Sequence, residues 1–207
     1  SNIRKKSLSP KIDLNANLPL SKNQTLTLGV HGKYSANSYH RLYLEQPFEA
    51  MTDEDEKALS FQLSAIYNYF SQKHSLSVEL FHYHDVWNAD YSGNCELWQH
   101  LWKGESLAFF SYNFQASRRL SLKTRIGLDW LQYHLHGDNS FSQLSPRINT
   151  NVQYQLNKGM LLWSFSFVNS NHGMDVINRA MIQVNSYMME KGMPELKKSH
   201  DINTYLY

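Results

Sequence analysis

Histidine is the residue type whose spacing in this chain most invites chemistry. His82 and His84, and again His134 and His136, stand two residues apart. On an extended strand each pair shares a face, so two neighbouring strands could present four imidazoles to a metal ion, with Cys95 or His100 nearby. No recognised ligand spacing supports such a centre. The expectation is ordinary polar residues near strand ends, with no metal and no cofactor. Serine and histidine are frequent enough to draw a Ser–His–acid triad in many ways, but no G-x-S-x-G elbow seats a nucleophile. Neither a Walker loop nor a G-x-G-x-x-G loop is present. No catalytic residue is expected, and the chain does not read as an enzyme.

Other candidates bind rather than react. Asp53, Glu54, Asp55 and Glu56 follow one another in "EAMTDEDEKALS", residues 49–60, and could gather Ca²⁺ or a cationic ligand. A solvated outer loop, or a short helix capped by Thr52, is the plainer expectation. Trp98 and Trp102, expected in a loop before the fifth strand, could stack on a flat ligand such as a sugar. Met181, Met188, Met189 and Met193 offer a soft surface, expected to pack against a neighbouring loop. Lys123, Arg125, Asp129, Arg147, Asn149 and Asn151 are united by parity, which raises the question of what element carries them.

That element is the β-strand. In "LSPRINTNVQYQL", residues 144–156, Leu144, Pro146, Ile148, Thr150, Val152, Tyr154 and Leu156 share one parity, and Arg147, Asn149, Asn151, Gln153 and Gln155 the other. "KIDLNANLPL", "SFQLSAIYNYF" (Ile66 the exception) and "RLSLKTRIGLDW" repeat the pattern. Period two over eight or more residues is the strand signal. Polar breaks at 21–24, 71–74, 115–119 and 157–159 read as tight hairpin turns. Longer irregular stretches at 37–59, 85–105, 136–143 and 169–200 read as loops at the opposite end. Short turns on one side, long loops on the other and strands near ten residues or more predict an all-β, antiparallel up-and-down meander. It would form part of a transmembrane outer-membrane β-barrel, with eight strands and the start of a ninth at Asp201–Tyr207.

In that setting the oily parity faces lipid and the amide and arginine parity faces a wet lumen. Lys123, Arg125, Asp129, Arg147, Asn149 and Asn151 would then line a permeation path or hold a plug. Tyr69, Phe70, Phe114, Tyr154 and Trp163 near the turns, with Tyr34, Tyr39, Trp87, Trp130 and Tyr133 towards the loops, would make two interfacial belts. A soluble β-sandwich or closed ligand-binding barrel, with the oily parity inward, is the alternative; a structural membrane barrel without transport is another.

Composition limits the remaining classes. Twenty Lys+Arg against 18 Asp+Glu leave a net charge of +2, with the bases scattered, so nucleic acid is not an expected partner. One cysteine excludes an internal disulfide. The most apolar run, "MLLWSFSFV", is too short for a membrane helix and suited to a tilted spanning strand. Ser1-Asn2 reads as the scar of a cleaved tag, so a piece of a longer protein is expected.

A more specific signal lies in "VINRAMIQVNSYMMEKGMPELKKSHDINTYLY", residues 176–207. It resembles a segment of the Bacteroidetes TonB-dependent receptors and related outer-membrane β-barrels, in which a long outer loop ends near G-N-P-x-L-K-P and an alternating strand follows. Gly192, Pro194, Leu196 and Lys197 match; Met193 stands for the Asn and Lys198 for the second Pro. "LSPRINTNVQYQLNKG" is similar to the family's strand before a short turn. The resemblance implies a barrel of about 22 strands with a plug, of which residues 1–207 would be one partial barrel domain with 169–200 as a long outer loop. It also implies nutrient binding and uptake in the bacterial outer membrane. The partners would be outer-membrane lipid, the parent's own plug domain, an energy-coupling protein and possibly a surface lipoprotein.

Overall fold

The computed structural model describes residues 2–45, 48–93, 96–138, 140–170, 181–185, 188–191 and 199–207. They form β1 (Asn2–Leu8), β2 (Lys11–Ser21), β3 (Gln24–Glu45), β4 (Phe48–Phe70), β5 (His74–Gly93), β6 (Leu97–Gln115), β7 (Leu120–Leu135), β8 (Phe141–Leu156), β9 (Gly159–Ser170), β10 (Met181–Asn185), β11 (Met188–Lys191) and β12 (Ser199–Leu206). No helix occurs among the described residues, and so none is long and apolar enough to cross a membrane.

Ten strands make one open antiparallel sheet in the order β1-β3-β4-β5-β6-β7-β8-β9-β12, with β2 also on β3; β10 and β11 pair separately. β1 and β2 share one edge of β3. The break between them is Ser9-Pro10, where proline has no N–H to give the ladder, although its carbonyl accepts from the Tyr34 N–H at 3.1 Å. The sheet is thus nine strands wide, with β12 as the ninth. The expected short turns fall where the polar breaks placed them, between β2 and β3, β4 and β5, β6 and β7, and β8 and β9.

Among the described residues, the expected loops at 37–59 and 85–105 are instead strand at every position but Glu96. β3 and β4 run 22 and 23 residues and β5 and β6 run 20 and 19. Asp53–Glu56 therefore lie within β4, not in a loop or helix, and Trp98 and Trp102 lie within β6. The stretch 169–200 holds the end of β9, the β10–β11 pair and the start of β12. Gly192, Met193, Pro194, Leu196, Lys197 and Lys198 fall outside the described residues, as does Cys95.

Register explains both the successes and these corrections. Leu18, Leu26, Tyr67, Val78, Phe110, Ile126, Ile148, Phe167 and Ile202 are successive partners across the whole sheet. Partnered residues share a face, so one unbroken apolar row crosses it. The neighbouring row, on the other face, is Thr25, Asn68, Ser77, Ser111, Arg125, Asn149, Ser166 and Asn203. These are the Ile126 face and the Arg125 face. In the turn-proximal half the Ile126 face is apolar and the Arg125 face polar.

Further from the turns the two faces exchange character. Along β7, Ile126, Leu128 and Trp130 are 46%, 53% and 46% exposed on the Ile126 face, and Gln132 and His134 follow on that face. On the opposite face Arg125 and Asp129 give way to Leu131, Tyr133 and Leu135, which are 4%, 2% and 1% exposed. β5 does the same: Val78 and Leu80 give way to His82 and His84, while Glu79 gives way to Phe81, Tyr83 and Trp87. Trp87, Ala89, Tyr91, Leu101, Leu131, Tyr133 and Leu135 form a buried core on the Arg125 face. Trp87 and Tyr133, expected in an exposed belt, belong to it. Tyr39, partnered with Glu54, also lies on that face; Tyr34 and Trp130 do lie on the Ile126 face.

Gly127 is required where the polar half meets this change. A Cβ there would collide with the Phe109 ring and approach the Ala108 carbonyl oxygen at 2.6 Å. Gly127→Ala should therefore destabilise the folded chain by about 1–3 kcal/mol through overpacking, measured as a lower unfolding midpoint. The double change with Phe109→Ala should couple positively to it.

Candidate functional site

The polar half of the Arg125 face collects Lys123, Arg125 and Asp129 from β7 with Arg147, Asn149 and Asn151 from β8. Cross-strand pairing sets Lys123 beside Asn151, Arg125 beside Asn149 and Gly127 beside Arg147. All six share this one face.

Arg125 donates through Nη2 to Glu79 Oε2 at 2.5 Å, and its guanidinium lies 3.9 Å above the Phe109 ring. The hydroxyls of Ser77 and Ser111 donate to the other Glu79 oxygen at 3.5 and 3.4 Å. Next to it, Arg147 donates to the buried Asp129 and lies 4.0 Å from Glu105, which Lys103 also approaches at 3.9 Å. Three cations and three carboxylates thus compensate one another. What faces solvent beside them is amide chemistry. Asn151 Nδ2 donates to Asn149 Oδ1 at 2.8 Å, and the Ser164 hydroxyl donates to Asn151 Oδ1 at 2.6 Å. Lys123 and Asn149 are exposed. The wall can hydrogen-bond a polar solute.

Glu79, Lys103, Glu105 and Phe109 belong to this wall and were missed in the sequence. Their signal was available only through register: each shares the parity of Ser77 or Ser111 on its own strand.

Trp98 and Trp102 do not join the wall. Both lie on the Ile126 face, where Trp102 Nε1 donates to His84 Nε2 at 3.2 Å and Trp98 meets the His136 ring edge-on at 5.0 Å. His82 and His84 also share this face, their ring centroids 6.3 Å apart. Among the described residues, no group of three or more His, Cys, Asp or Glu side chains is placed to hold a metal.

The acidic run is divided by strand geometry. Asp53 and Asp55 take the Ile126 face, where Asp53 meets His40 Nδ1. Glu54 and Glu56 take the Arg125 face, opposite Tyr91 and Ala89. Burial pushes the Glu56 carboxyl up from its ordinary 4.5 to about 7, helped by the neighbouring Glu54 carboxylate and opposed by hydrogen bonds from Asn37 and Trp87.

No protein-family model matches the chain, and no curated protein matches it. Among solved structures it is similar to the alcaligin outer-membrane receptor FauA of Bordetella pertussis, with a TM-score of 0.41 and 12% identity over 82% of this chain. The chain spans 36% of that receptor's length. No match supports the Bacteroidetes assignment.

Two outcomes follow from the charges. Asp129→Asn, which removes the nearer of the two carboxylates against Arg147 and leaves Glu105 at 4.0 Å, should cost about 1–3 kcal/mol in a denaturant titration. For Glu56 the raised folded value means that the folded chain binds more protons than the unfolded one. The Glu56 contribution to stability should be fully present below pH 4.5 and be lost as pH rises through 7. Glu56→Gln should flatten that slope in melts taken across the same range.

Proposed function

We propose that this chain is a membrane-spanning section of a bacterial outer-membrane β-barrel, with the Ile126 face against hydrocarbon and the Arg125 face around a wet lumen. The observation that carries this reading is the exchange of character along the strands. A strand segment in hydrocarbon keeps its apolar residues outward, whereas the same strand continuing into water keeps them inward. One sheet displaying both patterns in sequence along β5 and β7 fits a sheet that passes from one solvent to the other.

The dimensions agree. About 9–11 tilted residues cross a hydrocarbon layer, and the stretch of β7 from Leu120 to Trp130 fits that length. The 22 or 23 residues of β3 and β4 extend well beyond it. In water, exposing the apolar row would forfeit roughly 1.5–3 kcal/mol for each large side chain left unburied; in lipid the same exposure is favourable.

The parent protein, in this reading, resembles the TonB-dependent receptors in binding a bulky nutrient and admitting it through the lumen. Lys123, Asn149 and Asn151 supply hydrogen bonds to the solute, while the Arg125–Glu79 and Arg147–Asp129 pairs hold the wall that presents them. A plug domain and an energy-coupling protein complete that system, with a surface lipoprotein as a further partner.

Folding should therefore require detergent or lipid, and the folded chain should migrate differently on a gel before and after heating. A monomer that melts cooperatively in plain buffer would overturn the reading. Within a bilayer, Ile126→Arg should cost about 2–4 kcal/mol, whereas Asn149→Arg on the opposite face should cost little.

A further inference from the structure

The four short turns carry a charge that the rest of the chain does not share. Between β2 and β3, β4 and β5, β6 and β7, and β8 and β9 they hold Lys22, Lys73, Arg118, Arg119 and Lys158, all exposed. Residues 17–28, 66–78, 111–124, 152–163 and 203–207 make up these turns and the strand ends beside them, and they contain no Asp or Glu. The same residues contain six Lys and Arg, the sixth being Lys123, while the whole chain has a net charge of only +2. Everything outside this end is therefore net negative. The first carboxylates met along the strands are Asp13 on β2, Glu79 on β5 and Asp201 on β12. Asp13 meets His31, and Glu79 is held by Arg125. Among the described residues, none of the five turn cations pairs with a carboxylate.

Behind the turns, on the Ile126 face, stand Tyr69, Tyr112, Phe114, Tyr154 and Trp163. Tyr69 and Tyr112 lie in one cross-strand row through Leu76. Phe114 shares the next row with Leu122, Val152 and Trp163. His74 is engaged within this band: its Nδ1 pairs with the Tyr112 hydroxyl at 2.7 Å and its ring stacks on Phe114 at 4.9 Å. Amphipathic rings of this kind settle at the boundary between hydrocarbon and headgroups. The turn cations lie one step beyond it, at headgroup depth. Hairpins along a sheet follow one another at about 10 Å, twice the strand spacing. The charges thus form a line across the width of the sheet and not a compact patch.

We infer that the turn end of this sheet is a contact surface for anionic phospholipid headgroups, with Lys22, Lys73, Arg118, Arg119 and Lys158 facing their phosphates. Charge complementarity selects the occupant. Lysine and arginine are cations at neutral pH, arginine meeting phosphate through its planar fork and lysine as a point charge. A folded acidic partner needs its counter-charges gathered in one place. A headgroup layer runs past every turn and meets the cations where they stand. The surface rests on the membrane reading, because only a spanning sheet sets its turns against a leaflet.

The test uses the chain folded in detergent and transferred to phosphatidylcholine bilayers holding a trace of spin-labelled phosphatidylcholine or spin-labelled phosphatidylglycerol. Protease protection of the turn-proximal strands reports insertion, and the motionally restricted fraction of the spectrum reports lipid held at the protein surface. Phosphatidylglycerol should be held about fivefold better than phosphatidylcholine, the factor that one cation supplies near an anionic headgroup. The preference should vanish at about 1 M NaCl, where the screening length is about 3 Å. Inorganic phosphate should reduce it no more than NaCl of equal ionic strength. The variant Lys22→Gln/Lys73→Gln/Arg118→Gln/Arg119→Gln/Lys158→Gln should lose it. Arg4→Gln/Lys5→Gln/Lys6→Gln/Lys33→Gln/Lys57→Gln, which removes as much charge away from the turns, should keep it. Normal insertion with no preference, or a preference unchanged in the turn variant or lost equally in both variants, would overturn the surface and leave the membrane reading standing. A polyglutamate peptide that binds the inserted chain while phosphatidylglycerol does not would overturn it in favour of an acidic protein. Failure to insert would overturn both the surface and the membrane reading.

Discussion

A β-strand has two faces and one backbone, and in this sheet the ladder largely settles the backbone. The antiparallel pairing is continuous across the ten-stranded sheet from β1 and β2 through β3–β9 to β12, so most peptide groups are satisfied by neighbours whatever surrounds them. The medium on each side is then read out by side chains alone, at a period of two. Here the row through Ile126 and the row through Arg125 are adjacent in every strand from β3 to β9 and in β12, and opposite in chemistry throughout.

The Arg125 face shows what such a polar surface needs. Its charges are compensated locally: Glu79 holds Arg125, and Asp129 and Glu105 hold Arg147. Asp129 is fully buried, and a buried carboxylate is tolerable only with its counter-charge in place. Pairing also fixes the arginines, leaving the Asn149 and Asn151 amides and the Lys123 ammonium as the adaptable groups. Stacking of Arg125 on Phe109, and of Phe109 over Gly127, gives this wall an apolar backing where the polar surface passes into the buried core.

Much of the architecture was legible in the residue order, and the failures share a cause. The four tight turns, the meander and the ninth strand at the end of the chain came from alternation and polar punctuation. So did the common face of Lys123, Arg125, Asp129, Arg147, Asn149 and Asn151. The strands were cut short wherever alternation reversed its phase. At Phe81–His84 or Asp129–His134 an oily residue follows on the wrong parity, and a reader looking for one constant face sees an irregular loop. Trp98 and Trp102 were misplaced for that reason. Glu79 and Glu105 were passed over because their arginine partners, Arg125 and Arg147, are 46 and 42 positions away, a distance that only strand register bridges.

The central claim is the identity of the medium touching the Ile126 face, and a labelling scan of β7 tests it most directly. With Cys95 replaced by serine, single cysteines from Leu120 to Leu135 would carry a spin label in the bilayer-reconstituted chain. Collision with molecular oxygen, enriched in hydrocarbon, would be compared with collision with a water-soluble nickel complex. The expected result is strong oxygen contact at 120, 122, 124, 126 and 128, switching to nickel contact at 132 and 134, with the label at 131, 133 and 135 shielded from both. Nickel contact at 122, 126 and 128, or shielding of those positions from both reagents, would contradict it.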